Sequence, residues 1–299
     1  MKKQLLILLL FITSFAFAQS SEAPKVLIVT AHPDDDAACA GTVYKITHDL
    51  KGKVDLLLIT NGEGGYKYST LAEDYYGIEL TEEALGREYL PAIRKKELMA
   101  GGKIVGVRNY FFLDQKDNKY TLDMTDIVAS VWDTSYIKKR MSRIIKDGGY
   151  DYIFCLLPVP QTHAHHKTAS LMALVTVSEM NGKKPIVLGM SSSSKNDTAK
   201  TNFKILEGYP LTKINSSAPL FSFDRTQPFG FKNVLNYKII VNWLIAEHKS
   251  QGTMQLLMNQ GDYENFWYFD INPKAKISEV QELFNKLSVN HFKKKSYNE

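Results

Sequence analysis

Short, nearly unbroken apolar runs alternate along this chain with longer stretches whose apolar residues recur every three or four positions. Val26-Leu27-Ile28-Val29-Thr30-Ala31, Val54 to Thr60, and Asp151-Tyr152-Ile153-Phe154-Cys155-Leu156-Leu157 have the length and composition of strands buried on both faces. Tyr110 to Leu113 and Ile186 to Gly189 are shorter candidates. Helical spacing predicts helices over about Ala38 to Asp49, Leu80 to Ala100, Met124 to Ile145, Lys167 toward Met180, and Val234 to Ser250. Pro91 must kink, end or start something within the second of these. In the last, Tyr237, Val241, Leu244, Ile245 and His248 fall on one side. Asn61-Gly62-Glu63-Gly64-Gly65 and the serine-rich stretch Ser191 to Lys200 read as loops. Strands alternating with helices predict an α/β fold, a Rossmann-like three-layer sandwich around a mostly parallel sheet.

The N-terminus breaks this pattern. Lys2-Lys3, a mostly apolar run from Leu5 to Phe17 and Ala16-Phe17-Ala18 have the order of a secretory signal with an A-x-A-like cleavage site. Leu5 to Ala18 is shorter than the roughly 20 residues a bilayer span needs. The expected division is a signal peptide over residues 1–18 and one domain over 19–299, exported to the periplasm or outside the cell without a stable membrane anchor. Removing Lys2 and Lys3 lowers the formal charge from +5 to +3, which leaves little electrostatic case for nucleic acid. The basic tail around Lys293-Lys294-Lys295 reads as a solvated terminus. Cys39 and Cys155 lie on separate elements and are expected as buried free thiols. Nothing in the pattern sets an oligomeric state.

Chemistry gathers behind two of the strands. His32-Pro33-Asp34-Asp35 follows the first, with Pro33 suited to a first helical turn. His32 and Asp35, three apart, can point toward one ion, with Asp34 between them to handle protons. His163-Ala164-His165-His166 follows the fourth strand, after Pro158 and Pro160. Alone, a His-x-x-Asp at a helix start is usually a cap beside a surface histidine. Here four of the seven histidines lie in two strand-end clusters, a poor bargain for groups that resist desolvation unless they bind something. Three N/O ligands from two loops suit a catalytic zinc, which keeps one position for water; Fe(II) fits the same ligands. No G-x-G-x-x-G, Walker loop or G-x-S-x-G elbow is present, which weakens dinucleotide, NTP and serine-hydrolase readings.

At these residues the chain resembles the PIG-L/LmbE-like family of zinc-dependent N-deacetylases. The resemblance rests on Ala31-His32-Pro33-Asp34-Asp35-Asp36 and on the H-x-x-H motif His163-Ala164-His165-His166. Gly41-Thr42, Thr60-Asn61-Gly62-Glu63, Arg94-x-x-Glu97 and His248-Lys249-Ser250-Gln251 support it more weakly. It implies that His32, Asp35 and His166 hold the zinc, that a zinc-activated water is the nucleophile and Asp34 its general base, and that His163 acts at the carbonyl oxygen, where a protonated ring would stabilise an oxyanion. Either Asp34 or His163 then protonates the departing amine. Two positions depart from the family pattern: Asp36 stands where many relatives carry Glu, and His165 where many carry Asp. Both are read as neighbours that steady the ligands, with His165 also a rival ligand or a solvent-facing side chain.

The implied substrate is an N-acetylglucosamine-type sugar or glycoconjugate. Arg94 and Asp117 are candidate substrate contacts, as readily explained by an ion pair or a turn. Tyr66, Tyr68, Tyr75, Tyr76 and Tyr89 are candidate sugar-stacking rings, or ordinary packing. Two other readings remain open: a zinc amidase acting on a different amide conjugate, and a carbohydrate-binding protein without turnover. Asp34 counts against the last, because binding alone needs no base.

Overall fold

A single seven-stranded sheet organises the computed structural model, which describes residues 23–195, 197 and 202–294. The expected signal segment, residues 1–18, lies outside the described residues. The strands are β1 Lys25–Thr30, β2 Lys53–Thr60, β3 Val107–Gln115, β4 Tyr152–Leu156, β5 Ile186–Ser193, β6 Phe221–Asp224 and β7 Tyr263–Tyr268. Their spatial order is β3-β2-β1-β4-β5-β7-β6. The first five in that order run parallel, and β7 and then β6 add an antiparallel edge.

The central strand shows why the apolar runs read as they do. On β1, Val26 and Ile28 join a core with Leu98 and Leu244, from the helices Glu83–Val105 and Lys238–Glu247. Leu27 and Val29 join another with Met141 and Leu174, from Thr134–Gly148 and Ala164–Glu179. With helices on both faces there is no wet side to alternate toward, so the strand is apolar throughout. This is the three-layer sandwich that the pattern predicted. Both cysteines are buried and free. Among the described residues, no helix is long and apolar enough to cross a membrane.

Several boundaries differ from expectation for identifiable reasons. The stretch Met124 to Ile145 is not one helix. Trp132 is buried and its indole N–H donates to the Lys116 carbonyl at 3.1 Å, which pulls the chain out of helical geometry. The Asp133 carboxylate then accepts the Tyr136 amide at 2.9 Å and caps a new helix, Thr134–Gly148. The serine stretch is partly strand, because Ser192 and Ser193 pair with Glu264 and Tyr263 of β7. The first helix divides into a 3-10 turn Asp35–Cys39, a short α-helix Ala40–Tyr44 and a π-turn Lys45–Asp49. The helix Glu83–Val105 runs on through Pro91. The last predicted helix is confined to Lys238–Glu247, yet Tyr237, Val241, Leu244, Ile245 and His248 are all buried, as their spacing required.

Because β1 lies between β2 and β4, the chain leaves it in one direction along the sheet and later resumes on its other side. In open α/β sheets, the crevice beyond the carboxyl ends at such a point is where ligands bind.

Candidate active site

Four strand ends deliver residues to that crevice: His32 and Asp35 after β1, Gly62 after β2, Asp117 after β3 and the histidine cluster after β4. The β1 turn is built by its own carboxylate. Asp35 Oδ2 accepts the backbone N–H of both Ala31 and His32 at 2.9 Å. Its Oδ1 is thereby left to face His166 Nε2 at 3.1 Å and His32 Nδ1 at 3.9 Å. His32 Nδ1 lies 2.9 Å from His166 Nε2. The histidines expected in a loop before a helix instead occupy its start: His163 is the N-cap, and His165 and His166 sit in the first turn of Ala164–Glu179. Thr162 Oγ1 lies 2.9 Å from His166 Nδ1, which leaves Nε2 as the inward nitrogen.

These three donors pass the test for a metal. Ligands at about 2.0–2.1 Å around a tetrahedral ion are separated by roughly 3.3 Å. The observed separations of 2.9, 3.1 and 3.9 Å bracket that value. The electrostatics agree. Burial opposes charge on His32, but Asp117, by its charge and hydrogen bond, and then Asp35 and Asp34, draw its pKa up to about 9. Burial likewise opposes the Asp35 carboxylate, and the charges and hydrogen bonds of His166 and His32 outweigh it, holding the group well below the usual carboxylate range. The cluster is therefore arranged around positive charge, which a proton or a divalent ion supplies.

Asp34 stands at the edge of this set, its Oδ1 3.2 Å from Arg94 Nη2. Arg94 and Asp117, considered as substrate contacts, are only 3 % and 9 % exposed and are occupied by the site itself. Arg94 Nη1 donates to the Gly62 carbonyl at 2.7 Å and lies 4.0 Å from Asp117 Oδ2. Asp117 Oδ1 lies 3.5 Å from His32 Nε2 and 3.3 Å from His165 Nδ1, while its Oδ2 accepts the Gly64 amide at 3.2 Å. Gly62 is required here. Its φ is +76°, and a Cβ would come within 2.8 Å of Pro33 Cγ and 3.0 Å of Arg94 Nη1.

His165 does not face solvent. It is fully buried and stacks on Trp132, with ring centroids 5.0 Å apart. His163 lines the cleft near Tyr120, and among the described residues neither of its ring nitrogens has a hydrogen-bond partner. Burial, followed by the charges of His165, His32 and His166, pushes its pKa down to about 3. A neutral ring has one N–H to offer. Asp36 and His248 form a pair beneath the turn, Oδ1 to Nε2 at 3.4 Å, both almost wholly buried. The cleft above these groups has a volume of about 970 Å³. Of the five tyrosines considered for sugar stacking, Tyr66 and Tyr68 line it; Tyr76 instead donates to Glu97 Oε1 at 2.7 Å.

Sequence reasoning missed Trp132 and Thr162, which bear on His165 and His166, and the buried pair Arg225–Glu264. Glu264 accepts the Gly41 and Thr42 amides at 2.8 Å, and Arg225 donates to the Ala37 carbonyl at 2.6 Å, so the pair braces the segment that carries Asp34 and Asp35. The Gly41-Thr42 signal was visible, but its partner lies more than 200 residues away.

The comparisons with known proteins fit this geometry. A "Probable N-acetyl-alpha-D-glucosaminyl L-malate deacetylase 2" of Bacillus cereus is 25 % identical over 174 residues, covering 58 % of this chain and 70 % of the relative. Among solved structures, a deacetylase of the antimicrobial A40926 pseudoaglycone superposes with a TM-score of 0.51 at 15 % identity, over 83 % of this chain and 98 % of the other. A 4-carboxy-2-hydroxymuconate hydratase from Pseudomonas putida KT2440 does so with a TM-score of 0.51 at 13 % identity, over 84 % and 97 %. At such identities these two likenesses concern the fold, and one fold carries both chemistries. The family model described as PIG-L, GlcNAc-PI de-N-acetylase, matches residues 27–177, a span that contains both histidine motifs and the candidate metal donors His32, Asp35 and His166. The chain belongs to the PIG-L family.

Proposed function

We propose that the protein is a metal-dependent hydrolase that removes the N-acetyl group from an N-acetylglucosamine-type sugar or glycoconjugate. The observation that carries this reading is the placement of Asp34 beside the converging donors His32, Asp35 and His166, with unpartnered His163 in the same cleft. The substrate class is taken from the relatives: the Bacillus cereus protein is named for an N-acetylglucosaminyl conjugate and the family for GlcNAc-PI.

His32, Asp35 and His166 would hold the ion, zinc or Fe(II), which when bound supplies Lewis acidity toward an amide carbonyl and acidifies water. Asp34 takes the proton of the attacking water, and Arg94 at 3.2 Å holds its carboxylate in place for that task. His163 donates its N–H to the oxygen on which charge develops; being neutral, it contributes a hydrogen bond rather than a charge. Asp34, having gained a proton, is then the group able to pass it to the leaving amine. The roughly 970 Å³ cleft, with Tyr66, Tyr68 and Ser192 to Ser194 on its walls, offers stacking faces and hydroxyls to a sugar larger than one ring.

The N-terminal order of Lys2-Lys3, apolar run and Ala16-Phe17-Ala18 supports a reading in which this activity lies outside the cytoplasm, on envelope or extracellular amino sugars. The test is acetate release from a panel of N-acetylated sugars and oligosaccharides by protein of known metal content. Acetate from at least one amino sugar is expected. Release of a different acid, from other amide conjugates only, would replace the substrate class while keeping the site.

A further inference from the structure

The second face of His32 has its own set of donors. His32 Nε2 lies 3.2 Å from His165 Nδ1 and 3.5 Å from Asp117 Oδ1, and those two are 3.3 Å apart. The three atoms form a nearly equilateral triangle whose sides match the roughly 3.3 Å edge of a tetrahedral zinc site. This match is closer than that of the first set. His163 is close by: a ring nitrogen of His32, of His163 and of His165 all lie within 4.8 Å of one another. Both nitrogens of His163 are buried without a hydrogen-bond partner among the described residues. Unpaired nitrogens around a buried carboxylate are costly unless something fills the space between them.

We propose that His32 Nε2, His165 Nδ1 and Asp117 Oδ1 form a second divalent-cation site, with His163 as a further donor, and that zinc beyond the first equivalent binds there and inhibits the enzyme. The proposal rests on the reading of His32, Asp35 and His166 as the first site, since His32 then bridges two ions, Nδ1 to one and Nε2 to the other. With both nitrogens engaged, its remaining ring proton leaves to solvent. The two ions repel each other across the ring, so the second binds more weakly. Asp117 offsets part of that repulsion. Inhibition follows from geometry: an ion held here engages His163, which the reaction needs at the carbonyl oxygen. The device depends on His165. A carboxylate at that position would not place a nitrogen opposite Asp117 on the buried side of the cleft.

The experiment is a zinc titration of the metal-free protein by calorimetry, with bound metal measured after dialysis against buffered free zinc and acetate release followed at each ratio. Wild type is expected to bind two equivalents in two steps, with activity rising through the first and falling through the second. Asp117→Asn and His165→Gln should each bind one, and His166→Ala should lose the tighter step and retain the weaker. Because His165 is packed against Trp132, melting curves accompany each variant, and the wild-type stoichiometry can overturn the proposal without any variant. Saturation of wild type at one equivalent in excess zinc would overturn this proposal and leave the first site standing. No tight equivalent at all would overturn both. Retention of two equivalents by folded His165→Gln would place the second ion elsewhere and also refute it.

Discussion

Glu264→Ala should be among the most damaging substitutions in the molecule, although Glu264 touches none of the donors in the cleft. Its carboxylate is fully buried on β7. Oε1 accepts from Gly41 N at 2.8 Å and Arg225 Nε at 2.7 Å, and Oε2 accepts from Thr42 N at 2.8 Å. Truncation leaves the Arg225 guanidinium, only 3 % exposed, with no counter-charge, at a cost of about 3–5 kcal/mol. It also strips the carboxylate cap from the start of the helix Ala40–Tyr44, worth about 1 kcal/mol more. For a domain of this size, roughly 2 °C of melting temperature accompanies each kcal/mol, so the sum of about 4–6 kcal/mol predicts a fall of roughly 8–12 °C. Calorimetric or circular-dichroism melts measure it. The double variant Arg225→Met/Glu264→Gln should recover about half of the loss, since it removes both charges rather than stranding one. A fall of less than about 3 °C for Glu264→Ala would refute the reasoning, as would a double variant that is worse than the single by the full value of a second independent loss.

His166→Ala should lower affinity for the first metal by more than about 100-fold, read from metal content after dialysis; full metal content would remove His166 from the ligand set. His163→Ala should retain that metal and lose about 10²–10³-fold in kcat with little change in KM, the signature of a missing oxyanion donor; a change confined to KM would make it a binding residue. Gly62→Ala forces a side chain into left-handed backbone against Pro33 and Arg94, at a cost of about 1–3 kcal/mol, and should depress activity because Arg94 must shift away from Asp34. An unchanged melting temperature with unchanged activity would contradict that account.

The parallel half of the fold was legible because strands covered on both faces carry unbroken apolar runs. The donors were legible because they stand directly behind two such runs. The antiparallel edge was not. β7 reads Tyr263-Glu264-Asn265-Phe266-Trp267-Tyr268, and its Glu264 and Asn265 are buried polar groups whose partners lie on distant segments. No local pattern announces such a strand. The short β6 had the same problem. The helix Ile277–Leu287 is a different case: Val280, Leu283, Phe284 and Leu287 are buried at helical spacing, so its signal was present and went unread. Asp133 as a cap inside an apolar-periodic stretch was legible in the same sense. Arg94 and Asp117 were legible as residues of the site but not as its scaffolding, because only three dimensions reveal that Gly62, Asp34, His32 and His165 already occupy them. The neutral state of His163 is also a property of the assembled cluster, set by burial and three neighbouring rings.

The central claim is that Asp34 is a base working beside a metal held by His32, Asp35 and His166. Acetate released from N-acetylated amino sugars by Asp34→Ala and wild type, both at one measured equivalent of metal, tests it most directly. Retained metal with turnover reduced by about 10²–10⁴-fold is the predicted result. Asp34→Ala that turns over like wild type, or that loses its metal together with its activity, would contradict the assignment.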